Sequence, residues 1–145
     1  VPLIVRWPDR FAAGGEVDAT VTSLDLFPTI LDIAGVPRPP KVPLRGRSLL
    51  PLLEGETPDD WNNDLYAEYQ MINYAHADLR CYRTPQFKLV VDAHNAGCNE
   101  FFDLEQDPGE TQNLIDDPRT ELREALAELM QKLEAFLSQT IESAQ

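Results

Sequence analysis

One histidine and one arginine are the side chains of this sequence best suited to touch a substrate. Asn73-Tyr74-Ala75-His76-Ala77-Asp78 is polar, sits between two segments of strand character, and runs through Leu79 into Arg80. Imidazole, amide, carboxylate and guanidinium groups together supply donors and acceptors for sugar hydroxyls or anions. A loop 71–79 carrying His76 and leading into Arg80 is therefore the candidate binding segment, because loops carry function more often than scaffolds do. The competing reading is a polar loop that faces water, with His76 an ordinary surface histidine. Arg80 and Arg83 point to opposite faces of one strand, and one of them is expected to pair with an acid of another element. His94, in Ala93-His94-Asn95-Ala96-Gly97, falls at a hairpin tip with no base or nucleophile suggested beside it.

The remaining reactive side chains carry less. Cys81 and Cys98 are too few for a disulfide framework and too isolated for a zinc site. They read as unpaired structural thiols, with a bridge left open for a secreted parent. Asp103, Glu105, Asp107 and Glu110 mimic a calcium-loop ladder, yet lack the glycine at the sixth position and the glutamate at the twelfth. A capped turn is the expected structure. Arg38, Lys41, Arg45 and Arg47 have no interleaved aromatics for base stacking, so they are expected to anchor a connector.

These groups need elements to hold them. Val1-Pro2-Leu3-Ile4-Val5 is a short apolar run that suits a strand buried on both faces of a parallel sheet. Nothing nearby would pair with it, so the chain reads as the C-terminal part of a longer protein. Residues 23–35 read as a helix capped by Ser23 and closed by Gly35, with Leu24, Phe27, Ile30, Leu31 and Ala34 on one face. A Pro-rich basic connector over 36–47 and a short helix over 48–55 follow. Strands are expected over 65–70, 79–84, 87–92 and 100–104, the middle pair forming a hairpin around Thr84-Pro85-Gln86. Asp117 and Pro118 open a final helix with Leu122, Leu126, Leu129, Leu133 and Phe136 at helical spacing. The fold class is α+β: a small antiparallel sheet of about four strands covered by a long C-terminal helix. The domain division expected is 1–55, the end of an α/β main domain, and 56–145, the α+β subdomain.

Composition narrows the partners. The 145 residues are 43% hydrophobic, enough for a core, and the net charge is −13. Residues 99–145 hold twelve acids against three bases. So acidic a chain is a poor match for nucleic acid, whose phosphates need clustered cations. No apolar run approaches the roughly 20 residues of a membrane-spanning helix.

Four segments, in order, resemble the C-terminal portion of a sulfatase of the alkaline-phosphatase superfamily: VPLIVRWP at 1–8, SLDLFPTILDIAG at 23–35, GRSLLPLLEG at 46–55 and FFDLEQDPGETQNL at 101–114. RCYRTPQFKLVV at 80–91 is similar to the family's hairpin of the R-x-x-R-T-x-x-x-K-L type. The resemblance implies a parent that hydrolyses sulfate esters or sulfamates of a small molecule or carbohydrate. It implies a formylglycine nucleophile made from a C/S-x-P-x-R motif, a calcium that polarises the sulfate, and a periplasmic or secreted setting. The N-terminal sulfatase domain would be this chain's partner. Neither Cys81-Tyr82-Arg83-Thr84 nor Cys98-Asn99-Glu100-Phe101 starts the nucleophile motif, and no paired-Asp metal motif occurs. The chain alone is thus expected to hold no cofactor and no catalytic residue, and to be inactive. Two alternatives stand beside this reading: a fragment of a phosphonate or phosphodiester hydrolase of the same superfamily, and a non-catalytic interaction module.

Overall fold

The structure, a computed structural model, describes residues 2–41, 44–74 and 76–142. The chain divides into two compact units, 1–63 and 64–145.

In the first unit, Thr22 rather than Ser23 caps the helical segment. Its hydroxyl accepts from the Leu24 amide at 3.2 Å, and Asp25 Oδ2 accepts from the Thr22 amide at 2.7 Å, a reciprocal capping box. A single 3-10 turn, Ser23–Asp25, leads into α1, Leu26–Ala34. Pro28 falls in the first turn, where its missing N–H has no helical partner to lose. Gly35 adopts φ 63° and ends the helix. The inward side of α1 carries Pro28 and Thr29, next to Asp25 of the preceding turn. Asp25 and Thr29 are buried, the Thr29 hydroxyl donates to the Asp25 carbonyl at 2.5 Å, and the Leu49 and Arg47 amides donate to Thr29 Oγ1 and Asp25 Oδ1, both at 2.8 Å. These bonds tie α1 to the connector and to the short helix α2, Leu50–Leu53. Gly46 lies so close to the Leu24 carbonyl that a Cβ there would sit 2.0 Å from its oxygen. Arg47 stacks over Trp61 at 4.9 Å and pairs with Asp60 at 3.0 Å, the anchoring role expected of the basic connector.

Two segments of this unit lack partners among the described residues. Residues 2–6 form no strand, and Leu3, Ile4 and Val5 are exposed. A strand exists through its ladder bonds, and the described residues of this unit offer no pairing edge. Leu24, Phe27 and Ile30, expected to face a core, are exposed as well.

The second unit is an antiparallel meander, β1 (Leu65–Ile72), β2 (His76–Arg83), β3 (Phe87–Asp92) and β4 (Glu100–Asp103), in that spatial order. The last helix, α3, spans Thr120–Glu142. Four antiparallel strands and a long C-terminal helix are the architecture expected from the sequence. Leu89 and Phe101 from the sheet, Leu114 from a loop, and Leu122, Leu129 and Leu133 from α3 form one buried cluster. Phe136 stacks on Tyr66 with ring centroids 4.0 Å apart. The Asp64 carboxylate at the start of the sheet accepts from the Tyr82 hydroxyl at 2.9 Å and from Lys132 of α3 at 3.4 Å.

The acid-rich turn after β4 is a capped turn. Asp107 accepts from the Thr111 and Gln112 amides at 2.7 and 2.8 Å, and Asp103 from those of Glu105 and Gln106. The hydrogen bond donated by the Gln112 backbone N–H, foremost, holds the Asp107 carboxyl below its ordinary range. Lys88 pairs with Glu110 at 2.5 Å and fastens the turn to β3.

Candidate functional site: the turn end of the β1–β2 hairpin

The segment 71–79 is mostly strand rather than loop. β1 runs to Ile72 and β2 begins at His76, with Ile72 opposite His76, Gln70 opposite Asp78 and Glu68 opposite Arg80. Period-2 alternation puts His76, Asp78, Arg80 and Tyr82 on one face of β2. Tyr82 packs against the α3 cluster. The apolar cover ends there, and the same face continues outward through Arg80, Asp78 and His76 as a polar strip.

Two bridges organise this strip. Arg80 Nη1 lies 2.8 Å from Asp78 Oδ1, an ion pair along one strand. Arg80 therefore pairs within its own strand, two residues away. The β2–β3 ladder runs on one residue past Asp92. The Ala93 amide donates to the Asp78 carbonyl at 2.9 Å, and Asp92 Oδ1 accepts from the His94 amide at 2.9 Å and from Asn95 at 3.3 Å. That path sets the His94 ring edge-to-face with His76, centroids 6.5 Å apart, and its Nε2 4.0 Å from Asp78 Oδ2. The two sequence candidates, His76 and Arg80, thus share one face with Asp78, and His94 joins them. Sequence reasoning missed His94. The available signal was its position within two residues of a strand end, opposite the strand carrying His76.

The other reactive groups are quiet. Burial, before any charge, pushes the Cys81 thiol up, so it is a poor thiolate nucleophile. Both cysteines are free. Burial and the bond to Asp64 push the Tyr82 phenol up to about 12, and burial with the bond to Glu68 raises Tyr66 too. Both phenols remain protonated donors. Among the described residues no three of His, Cys, Asp and Glu come together to hold a metal, so these residues do not make the calcium site that the sulfatase resemblance implies. No described helix is long and apolar enough to cross a membrane.

With the geometry established, comparison with known proteins decides the family. The family described as N-sulphoglucosamine sulphohydrolase, C-terminal, matches residues 1–139. The chain belongs to this family. It is 37% identical over 138 residues to an N-acetylglucosamine-6-O-sulfatase of Bacteroides thetaiotaomicron, covering 92% of this chain and 24% of that protein. Its fold matches the structure of BT4656 in complex with its substrate D-glucosamine-2-N,6-O-disulfate, with a TM-score of 0.75 and 31% identity over 96% of this chain and 28% of that one. A phosphonate monoester hydrolase of Agrobacterium radiobacter is also similar, with a TM-score of 0.64 and 30% identity over 85% of this chain and 26% of that one. The chain spans about a quarter of the length of these relatives.

Proposed function

We propose that this chain is the C-terminal domain of a sulfuric ester hydrolase acting on a sulfated carbohydrate, and that it assists catalysis without performing it. The observation that carries this reading is the family match over nearly the whole chain, joined to the lack of a nucleophile motif in its sequence. Formylglycine and calcium would belong to the N-terminal sulfatase domain and would supply the nucleophile and the Lewis acid. Exposed Leu24, Phe27 and Ile30, with exposed Leu3, Ile4 and Val5, support the view that residues 1–55 complete that α/β domain and that residues 56–145 are the appended subdomain. A periplasmic or secreted parent fits the same reading.

In that enzyme His76 and Arg80 bind the leaving group rather than the sulfate. Contacts remote from the reacting atoms hold the natural substrate and leave a minimal one indifferent. His76→Ala or Arg80→Ala in the full-length enzyme lowers kcat/KM for a sulfated sugar by about tenfold and leaves a small aryl sulfate unchanged. Equal losses on both substrates make the hairpin scaffold. The chain by itself releases no sulfate from either. The phosphonate hydrolase alternative draws support from the shared fold and is separated by the same enzyme's turnover of a phosphonate monoester.

A further inference from the structure

The two edges of the sheet differ. β4 is short, and the loop beyond it seals its outer side: the Phe101 amide donates to Asn113 Oδ1 at 3.0 Å, and the Phe101 carbonyl accepts from the Leu114 amide at 2.7 Å. β1 is 8 residues long, and no other described strand pairs with its outer side. Which of its main-chain groups face outward follows from β2. The Asp78 carbonyl accepts from the Ala93 amide and the Thr84 amide donates to the Phe87 carbonyl, so even-numbered residues of β2 bond toward β3. Alternation then turns odd-numbered residues of β2 toward β1, Leu79 to Tyr69 and Cys81 to Ala67. The N–H and C=O groups of Tyr66, Glu68, Gln70 and Ile72 therefore point away from the sheet. Exposed edges are ordinarily blunted by proline, lysine or a bulge. β1 has none of these: its pairing with β2 is unbroken from Leu65 to Ile72, and Tyr69, Met71 and Ile72 are exposed.

What matches this edge is the same edge of a second copy. Its outward groups fall on alternate residues, so a two-fold axis has to set even-numbered residues opposite even-numbered ones. An axis at Glu68 would bring two carboxylates face to face. An axis at Gln70 would set Glu68 against the partner's Ile72. With the axis at Tyr69, Glu68 meets the partner's Gln70 and Tyr66 meets the partner's Ile72. Glu68 Oε1 accepts from the Tyr66 hydroxyl, which leaves its second oxygen for the partner's amide. The exposed Ile72 joins the stack of the partner's Tyr66 on Phe136. On the other face Met71 lies over the partner's Ala67, and the two Tyr69 rings stand side by side. Acid meets amide, ring meets branched aliphatic, and large meets small. The charge of −13 opposes association, yet Glu68 is the one charged residue of 65–72, and the acid surplus lies in 99–145.

We infer that β1 is a dimerisation edge: two copies of this chain pair β1 with β1, antiparallel about an axis at Tyr69, and join their sheets into one. Because the outer side of β4 is sealed, assembly closes at two. One strand joint is smaller than the roughly 800 Å² per partner of a standard interface, so the dimer dissociates with a constant on the order of 100 µM. The inference is independent of the sulfatase reading.

The test is sedimentation velocity of the 145-residue chain from about 10 µM to about 1 mM, a range that brackets such a constant. The chain passes from monomer to dimer and no further. Gln70→Pro removes an outward N–H that β2 does not use, so the dimer is lost while the backbone amide spectrum of β2, β3 and β4 stays native. Gln70→Lys, opposite the partner's Glu68, tightens the dimer by about fivefold, and Gln70→Glu loosens it by about as much. That opposition carries the test even where proline disturbs the hairpin. A chain that stays monomeric to about 1 mM leaves the edge to some other occupant and overturns the inference. Assembly beyond the dimer, a dimer that persists in natively folded Gln70→Pro, and lysine and glutamate acting alike each overturn it too. So does a dimer dissolved by Phe27→Gln, which would place the contact on the exposed side of α1.

Discussion

Residues 1–63 and 64–145 are stabilised in different ways. The second unit closes an apolar core between the sheet and α3, with Leu89, Phe101, Leu129 and Leu133 nearly inaccessible. The first is held by buried polar bonds around Asp25 and Thr29 and by cation–aromatic contacts at Trp7 and Trp61, and turns much of its apolar surface outward. Among the described residues, nine large exposed hydrophobics belong to the first unit; the four in the second all lie at the hairpin end, between Tyr69 and Tyr74. A unit that buries Pro28, Leu49 and Leu52 beside Asp25 and Thr29 yet leaves nine large hydrophobics exposed among its described residues has the surface of an interior element. One that buries its apolar side and leaves a polar strip has the surface of a domain with a site.

The sharpest way to break this contrast is through the second core. Leu129, 2% exposed, loses contacts to both the sheet and its own helix when truncated. Leu129→Ala is expected to destabilise the 64–145 unit by about 2–5 kcal/mol, read as a shift of its denaturant midpoint. A small effect would mean that α3 is not docked.

Gly46→Ala comes next and addresses the first unit. The added Cβ meets the Leu24 carbonyl at 2.0 Å, so backbone must move and the bonds joining α1 to the connector loosen. Hydrogen exchange of the Arg47 and Leu49 amides should accelerate, with a loss of about 1–3 kcal/mol as their buried acceptors lose partners. The amides of β3 should be unaffected if the units are independently held.

Alkaline pH probes the second unit more gently. Tyr82 titrates near its ordinary 10 when unfolded and at about 12 when folded. The folded state therefore binds this proton more tightly, and the resulting stability is fully present below pH 10 and lost as pH rises through about 12. Tyr82→Phe should flatten that part of the stability profile.

The smallest effects are expected at surface positions. Glu128→Ala, on the outer side of α3 beside Lys132, should cost under about 0.5 kcal/mol. Ile30→Gln in the isolated chain should also change stability by less than about 0.5 kcal/mol, because Ile30 is 60% exposed despite its apolar character. A large loss at Ile30 would show that α1 faces a core within this chain after all.

Much of the second unit was legible before any coordinates. Alternation, turn residues and leucines at helical spacing are short-range signals, and β3 spans the expected 87–92. The hairpin end was misread because Ala77 and Asp78 are poor strand formers; pairing with Met71 and Gln70 overrode that local preference. In the first unit, helical periodicity identified α1, but the side buried within this chain is that of Pro28 and Thr29 rather than that of Leu24, Phe27 and Ile30. Periodicity finds the apolar face of a helix and says nothing of what that face packs against.

The sequence by itself determined the α+β order of elements, the register of apolar positions in α3, the capped turn at Asp107 and the absence of a nucleophile motif, all properties of neighbours a few residues apart. Tertiary structure alone decided that Arg80 pairs with Asp78, that α1 turns Thr29 inward, and that His94 meets His76 across eighteen residues of chain. The last of these depends on the β2–β3 ladder running on from Asp92 to the Ala93–Asp78 rung, a bond between backbone groups whose donor every residue but proline can supply. Side-chain identity therefore carries no trace of it.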